Sequence, residues 1–415
     1  MSPKRRFPSI LACGCAAVAL SGFAVYATEA LPAAAEIGGV LQKLSEITGM
    51  PVKHQLRFQS ISRAEVSSYL EGRAKKTIKT REILAEESAL RLLGLVPEGF
   101  DLRKMTVDLL TEQAAAFYDY QKKKLFLADW TPGGMRDETV VHELAHALAD
   151  QNVNLGKYEK KVEDDGEQSA AREAVVEGQA QYLTLAYAAA EKGEQPLDIV
   201  PDSSDFDSTA DPTGEYPVFD KAPLYFRVTL IFPYTWGMTF QAAVVRRYGR
   251  EGFRHVFTEA PVSTQQILHP DMYFSRVKPV DVDLPDPPKH MKVVFGSTLG
   301  ELDHRVLLEQ YTSRKEADKM SAEWRGGGFA IFAAKHNDRK LLEYASEWSS
   351  DRAAGRFLSM YRRVIMGKMK GAVIDQASED AFSGHGCFGH DPVSYFHVKR
   401  EGKRVTSVEN MPEPE

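Results

Sequence analysis

The pentapeptide His142-Glu143-Leu144-Ala145-His146, set in the frame ETVVHELAHALAD, constrains this chain more than any other feature. On a helix, positions i and i+4 share a face, so the two imidazoles can grip one ion while Glu143 stands beside it. Val140, Val141, Leu144, Ala145 and Leu148 are available to bury such a helix. The bland alternative is a pair of histidines hydrogen-bonded within a core. Against it stands the context, a predicted helix that follows a predicted strand. A catalytic zinc needs a third protein ligand and an open position for water, and Glu143 is placed to take a proton from that water.

The flanking segments read as a strand, a break and two helices. AAFYDYQKKKLFLAD contains two β-prone runs and predicts a hairpin whose second strand is about Lys124 to Ala128. That strand is a candidate to bind an extended substrate by β-addition. WTPGGMRDE supplies the break, with Asp137 and Glu138 favouring a helix from about Glu138 to Gln151. AAREAVVEGQAQYLTLAYAAAEKG predicts a second helix ended by Gly193. It offers Glu173 and Glu177, again i and i+4; Glu177 is the chosen third ligand, and Glu173 is a candidate to orient a ligating histidine from behind. A further helix is expected in TWGMTFQAAVVRRYG.

At the N-terminus, Lys4, Arg5 and Arg6 precede an apolar run from Phe7 to Ala27 that ends in small residues. This order marks a secretory signal peptide over residues 1–27 and predicts an exported protein of the periplasm or cell envelope. A membrane attachment is expected only if that segment stays uncleaved. Cleavage removes Cys13 and Cys15, leaving Cys387 and no internal disulfide. Residues 28–110 read as a helical N-terminal region, 111–285 as the metal-bearing domain and 290–415 as a mixed α/β C-terminal domain. The acidic stretch from Asp198 to Asp220 reads as a long loop. With 52 basic and 58 acidic residues interspersed, nucleic-acid binding has no electrostatic support. HGCFGHDPVSYFH places His385, Cys387 and His390 close together, and its plain reading is a Gly-rich turn between strands.

HELAH followed by VVEGQAQYL resembles the gluzincin metallopeptidases, including their aminopeptidase group, whose third ligand is the Glu of a similar NEGxAxY pattern. Glu177, Gly178, Ala180 and Tyr182 match that pattern, and Val176 replaces its Asn. The resemblance covers mainly residues 114–190. Metzincins are excluded, because Ala149 and Asn152 stand where that group has a glycine and a third histidine. The resemblance implies an α+β, zincin-like catalytic domain holding one zinc ion on His142, His146 and Glu177, with Glu143 as general base. It further implies a peptide or protein substrate and a Tyr or His that stabilises the oxyanion. His269 is the first candidate for that role and Tyr234 the second, with Tyr273 behind them. The alternative is a zinc-holding, noncatalytic scaffold or binding protein of the cell envelope.

Overall fold

The computed structural model describes residues 34–77, 80–113, 116–130, 133–201, 209–284, 291–334, 339–389 and 391–413. The expected signal peptide and His390 lie outside the described residues. The fold is mixed α+β, with a large antiparallel sheet in its C-terminal part.

The N-terminal part contains α1 (Ala34–Thr48), β1 (Arg57–Ile61), α2 (Arg63–Thr77), α3 (Thr80–Leu93) and α4 (Leu102–Gln113). The hairpin follows as β2 (Ala116–Asp119) and β3 (Lys124–Ala128). Its turn closes because the Asp119 carboxylate accepts the backbone N–H groups of Gln121 and Lys122, while Lys123 takes a left-handed φ of 52°. β1 adds a strand to the N-terminal region expected to be helical. RFQSI is mostly exposed, so it lacks the apolar alternation that would have marked it, and it is ordered by pairing in parallel with β3.

Two long helices then cross the body of the molecule. α5 (Gly133–Val153) carries HELAH, and the short α6 (Leu155–Lys160) leads to α7 (Gly166–Glu191), which carries Glu177. Asp165 caps α7 by accepting the N–H of Gln168. Gly193, with φ of 78°, ends it. α8 (Pro217–Lys221) is followed by α9 (Leu224–Tyr248), which begins more than two turns before the expected start and runs through Pro233. α9 is long and apolar because it is a core helix packed along α7.

After α10 (Gly252–Thr258), α11 (Thr264–Leu268) and α12 (Pro270–Phe274), the chain enters its C-terminal part. Here β4 (Met291–Thr298), α13 (Glu301–Tyr311), α14 (Arg314–Ser321), β5 (Trp324–Ala334) and β6 (Lys340–Trp348) precede α15 (Asp351–Lys368). β7 (Lys370–Ala377), β8 (Ala381–Phe388), β9 (Asp391–Glu401) and β10 (Arg404–Met411) complete a sheet of order β4-β5-β6-β10-β9-β8-β7. α15 lays Phe357, Tyr361 and Ile365, spaced by four, against Trp348 and Tyr344 of that sheet. His385 and Cys387, expected in a turn, lie in β8, and the His385 ring nitrogen Nδ1 meets Asp375 at 2.8 Å.

One apolar core joins the parts, running from Leu90 and Leu93 of α3 through Val175 and Phe240 to Phe329, Leu342 and Val405 of the sheet. The same junction holds a fully buried ion pair, Lys368 Nζ to Glu409 at 2.6 Å. Lys368 also donates to the Leu92 carbonyl at 2.9 Å, while Tyr361 Oη and Ser407 Oγ donate to Glu409 at 2.6 and 2.8 Å. Burial pulls the Lys368 ammonium below its usual range, so Glu409 is the group that keeps it charged.

Lys368→Met is therefore expected to lower stability by about 3–5 kcal/mol, because it strands a buried carboxylate. The Lys368→Met/Glu409→Gln double variant is expected to recover most of that loss. Urea unfolding of the two variants measures both; a single-variant loss below about 1 kcal/mol would remove the pair from the interactions that fix this junction.

Candidate metal centre

Polar groups on α5 converge because its apolar residues are used on its other faces. Val140, Val141, Leu144 and Leu148 pack with Ile37, Leu41 and Leu44 of α1, which recur at helical spacing and cover the helix. His142, Glu143, His146 and Asp150 are left to face α7 and the hairpin, each at most 4% exposed.

The three expected ligands meet. His142 Nε2 lies 3.1 Å from Glu177 Oε2, His146 Nε2 lies 3.2 Å from the same oxygen, and the two Nε2 atoms are 3.1 Å apart. A tetrahedral ion with bonds near 2.0–2.1 Å spaces its donors by about 3.3 Å, so this triangle fits the base of such a site. Charge fits as well. Glu143, Glu159 and Glu177 all act on His146, and Glu173 is within electrostatic reach of Glu159 and Glu177. Three carboxylates thus act on this pair of imidazoles, an excess that a divalent cation offsets. Burial opposes charge on each member of the triangle. For His146 that effect is outweighed by Glu177, then Glu143 and Glu159, which raise its pKa to about 9. For Glu177 the two histidines outweigh burial and hold the carboxyl well below its usual range, whereas His142 is lowered by burial.

Glu143 is held by the neighbouring strand. Its Oε2 accepts the Tyr118 backbone N–H at 2.5 Å, and Tyr118 Oη donates to Asp150 at 2.8 Å, so β2 is clamped to α5 at two points. Asp150 also accepts the Leu155 N–H and pairs with Lys123. β3 is the middle strand of the order β1-β3-β2, with a partner on each side. This corrects the idea that Lys124 to Ala128 receives an added strand: the sheet edge beside Glu143 belongs to β2.

Tyr234 stands at the site, its ring centroid 5.9 Å from that of His142 at an interplanar angle of 29°. It is brought there by an unusually close helix crossing. A Cβ on Gly178 would lie 2.1 Å from the Gly237 carbonyl carbon, and one on Gly237 would lie 2.2 Å from the Ala174 carbonyl oxygen. The backbones of α7 and α9 are therefore in contact one residue beyond Glu177 and three beyond Tyr234. His269 lies elsewhere, with Nε2 2.8 Å from Glu301 Oε1, and Tyr273 Oη donates to the Glu259 carbonyl.

Glu173 does not take the expected position behind a histidine. It is half-buried on the wall of a cavity of about 130 Å³ between α3, α4, α7, α9 and β4, beside Leu90, Leu109, Phe232 and Phe295. Burial, then Glu177 and Glu159, raise its carboxyl well above the ordinary range. Besides Glu177, Gln181, one turn further along α7, is within hydrogen-bonding reach of His142. Gln181, Tyr118 and Asp150 escaped the reading of the sequence. Asp150 alone left a signal there, as a carboxylate at i+4 from His146 on the ligand face.

The fold and the cluster define an α+β protein with a buried His-His-Glu group built on two packed helices. Residues 292–415, from β4 onward, match a family described as a domain of unknown function, DUF8575. The match lies wholly C-terminal to the cluster. No curated protein and no solved structure matches the chain.

Two outcomes follow. Gly178→Ala is expected to cost at least about 2 kcal/mol in urea unfolding, because backbone has to move. Gly38→Ala in α1, where a Cβ would meet nothing within 4 Å, is expected to be neutral or stabilising by up to about 1 kcal/mol; equal effects would argue against the crossing. The Glu301 carboxylate raises the His269 pKa against the opposing effect of burial. The pair's stabilisation is thus fully present below about pH 6.5, the unfolded imidazole value, and lost as pH rises through the folded value. The parent's stability margin over His269→Gln should shrink as pH rises above about 6.5, and a constant margin would contradict the pair.

Proposed function

We propose that this chain is an exported, zinc-dependent metallopeptidase with a zincin-like catalytic core of gluzincin type. The observation that carries the reading is the convergence of His142 Nε2, His146 Nε2 and Glu177 Oε2 within 3.2 Å, with the Glu143 carboxylate beside them. Structural zinc sites are closed by four protein ligands, whereas this group comprises three among the described residues. The N-terminal run of Lys4 to Arg6 and the apolar segment behind it support export.

Zinc bound by these ligands would supply Lewis acidity toward a water molecule and a peptide carbonyl. Glu143 accepts the proton of the attacking water and returns it to the leaving amine. The Tyr118 N–H fixes the orientation of that carboxylate, and Gln181 steadies the His142 ring. Tyr234, stacked near His142, takes the oxyanion-stabilising role in preference to His269, whose Nε2 is engaged by Glu301. The outer edge of β2 receives the substrate backbone, since Ala116 directs its N–H and C=O to the same edge as Tyr118. The cavity beside Glu173 suits an apolar substrate side chain.

A second reading is favoured by burial. His142, Glu143, His146, Glu177 and Tyr234 are each no more than 7% exposed, a closure suited to a zinc-holding, noncatalytic binding protein of the cell envelope.

The parent and Glu143→Gln separate the two readings. Both are expected to hold about one zinc per chain by elemental analysis, and the parent alone is expected to cleave a broad peptide mixture, Glu143→Gln being slower by about 10²-fold or more. Zinc in both without cleavage in either would favour the binding protein, and zinc in neither would end both readings.

A further inference from the structure

On the neighbouring flank of α7, a second pocket of about 380 Å³ is unlike the metal centre in charge. Arg172, the residue before Glu173, lies on its wall. Its guanidinium sits 4.5 Å from the centroid of the Tyr158 ring and donates through Nη1 to the Tyr158 carbonyl oxygen. Nε is enclosed without an acceptor. Arg172 lines the pocket and forms no ion pair among the described residues. A half-buried guanidinium held rigidly by a ring and a carbonyl, with no carboxylate, has its fork ready for an external oxyanion.

The surroundings reinforce this. Lys161, Arg276 and Lys278 add three cations to the rim, and the pocket's carboxylate, Glu259, is 57% exposed and 3.9 Å from Arg276. In a chain of net charge −6, a concavity with four cations against one carboxylate is a local reversal of sign. Three aromatic rings join the lining: Tyr248 lies 6.0 Å from Phe274 and Tyr273 5.6 Å from it, between ring centroids, with His255 4.3 Å from Tyr248 and the Arg247 guanidinium 4.6 Å from the Phe274 centroid. Such walls suit a flat apolar body.

We propose that this pocket binds an anionic ligand, with a phosphate or carboxylate group on Arg172 and a planar apolar body against Tyr248, Tyr273 and Phe274. The site is independent of the metal and of the peptidase reading.

Isothermal titration of the purified chain with phenyl phosphate, benzoate and inorganic phosphate tests it. Binding of phenyl phosphate or benzoate is expected, with phenyl phosphate tighter than inorganic phosphate; the stronger of the two aromatic probes identifies the anion. Arg172→Met, which keeps the aliphatic stem, is expected to weaken binding about tenfold or more with zinc content unchanged. Lys161→Met and Lys278→Met, both on exposed positions, are expected to weaken it about two- to threefold each, and Glu259→Gln to strengthen it. The proposal is overturned if no probe binds the folded parent, or if Arg172→Met binds as the parent does. Should Arg172→Met fail to fold, unchanged affinity in both lysine variants overturns it instead.

Discussion

The structure depends on the contact between Gly178 and Gly237, where two helices meet backbone to backbone. Glu177 of the candidate metal centre stands next to that contact, and Tyr234 on α9 is placed by the same crossing. Helices that meet through side chains lie 8–10 Å apart, with rotamers to absorb small errors. A backbone contact has less slack, so the stretches of main chain that carry Glu177 and Tyr234 are closely held against each other. α9 contributes no ligand to the cluster, yet it determines what stands over His142.

The cluster also explains the weight of burial around it. Two imidazoles and several carboxylates withdrawn from water are costly unless their charges are matched. The protein meets part of that cost by sharing one Glu177 oxygen between both rings and by giving Glu143 a backbone N–H. Tyr118 is tied to α5 through its main chain and its hydroxyl, so the orientation of Glu143 depends on the fit of the hairpin as well as on its own helix.

Short-range chemistry made much of this readable. His142 and His146 at i and i+4, the hairpin around Asp119, and the end of α7 at Gly193 each follow from local geometry that leaves a residue-level mark. What stayed hidden depends on distant partners. β1 has no apolar alternation and is a strand because β3 lies beside it. Glu173 and Glu177 share a helical face and look equivalent in sequence, but one meets two histidines and the other a cavity wall. Gly178 was legible as part of a motif, while its purpose required knowing that Gly237, 59 residues later by subtraction of the two positions, lies against it. The early turns of α9 were masked by Pro233, which breaks most helices but is accommodated in this one.

The tether from Lys368 to the Leu92 carbonyl joins groups 276 residues apart, and Lys340 reaches Ser88 across 252. α3 thus emerges early in synthesis yet finds its seat only after the last third of the chain exists. Leu90 and Leu93 share a cavity wall with Leu109 and Phe232, which follow soon after them, and with Phe295 and Phe329, whose contacts close long loops and so form slowly. The final strands thus complete a core begun near the N-terminus.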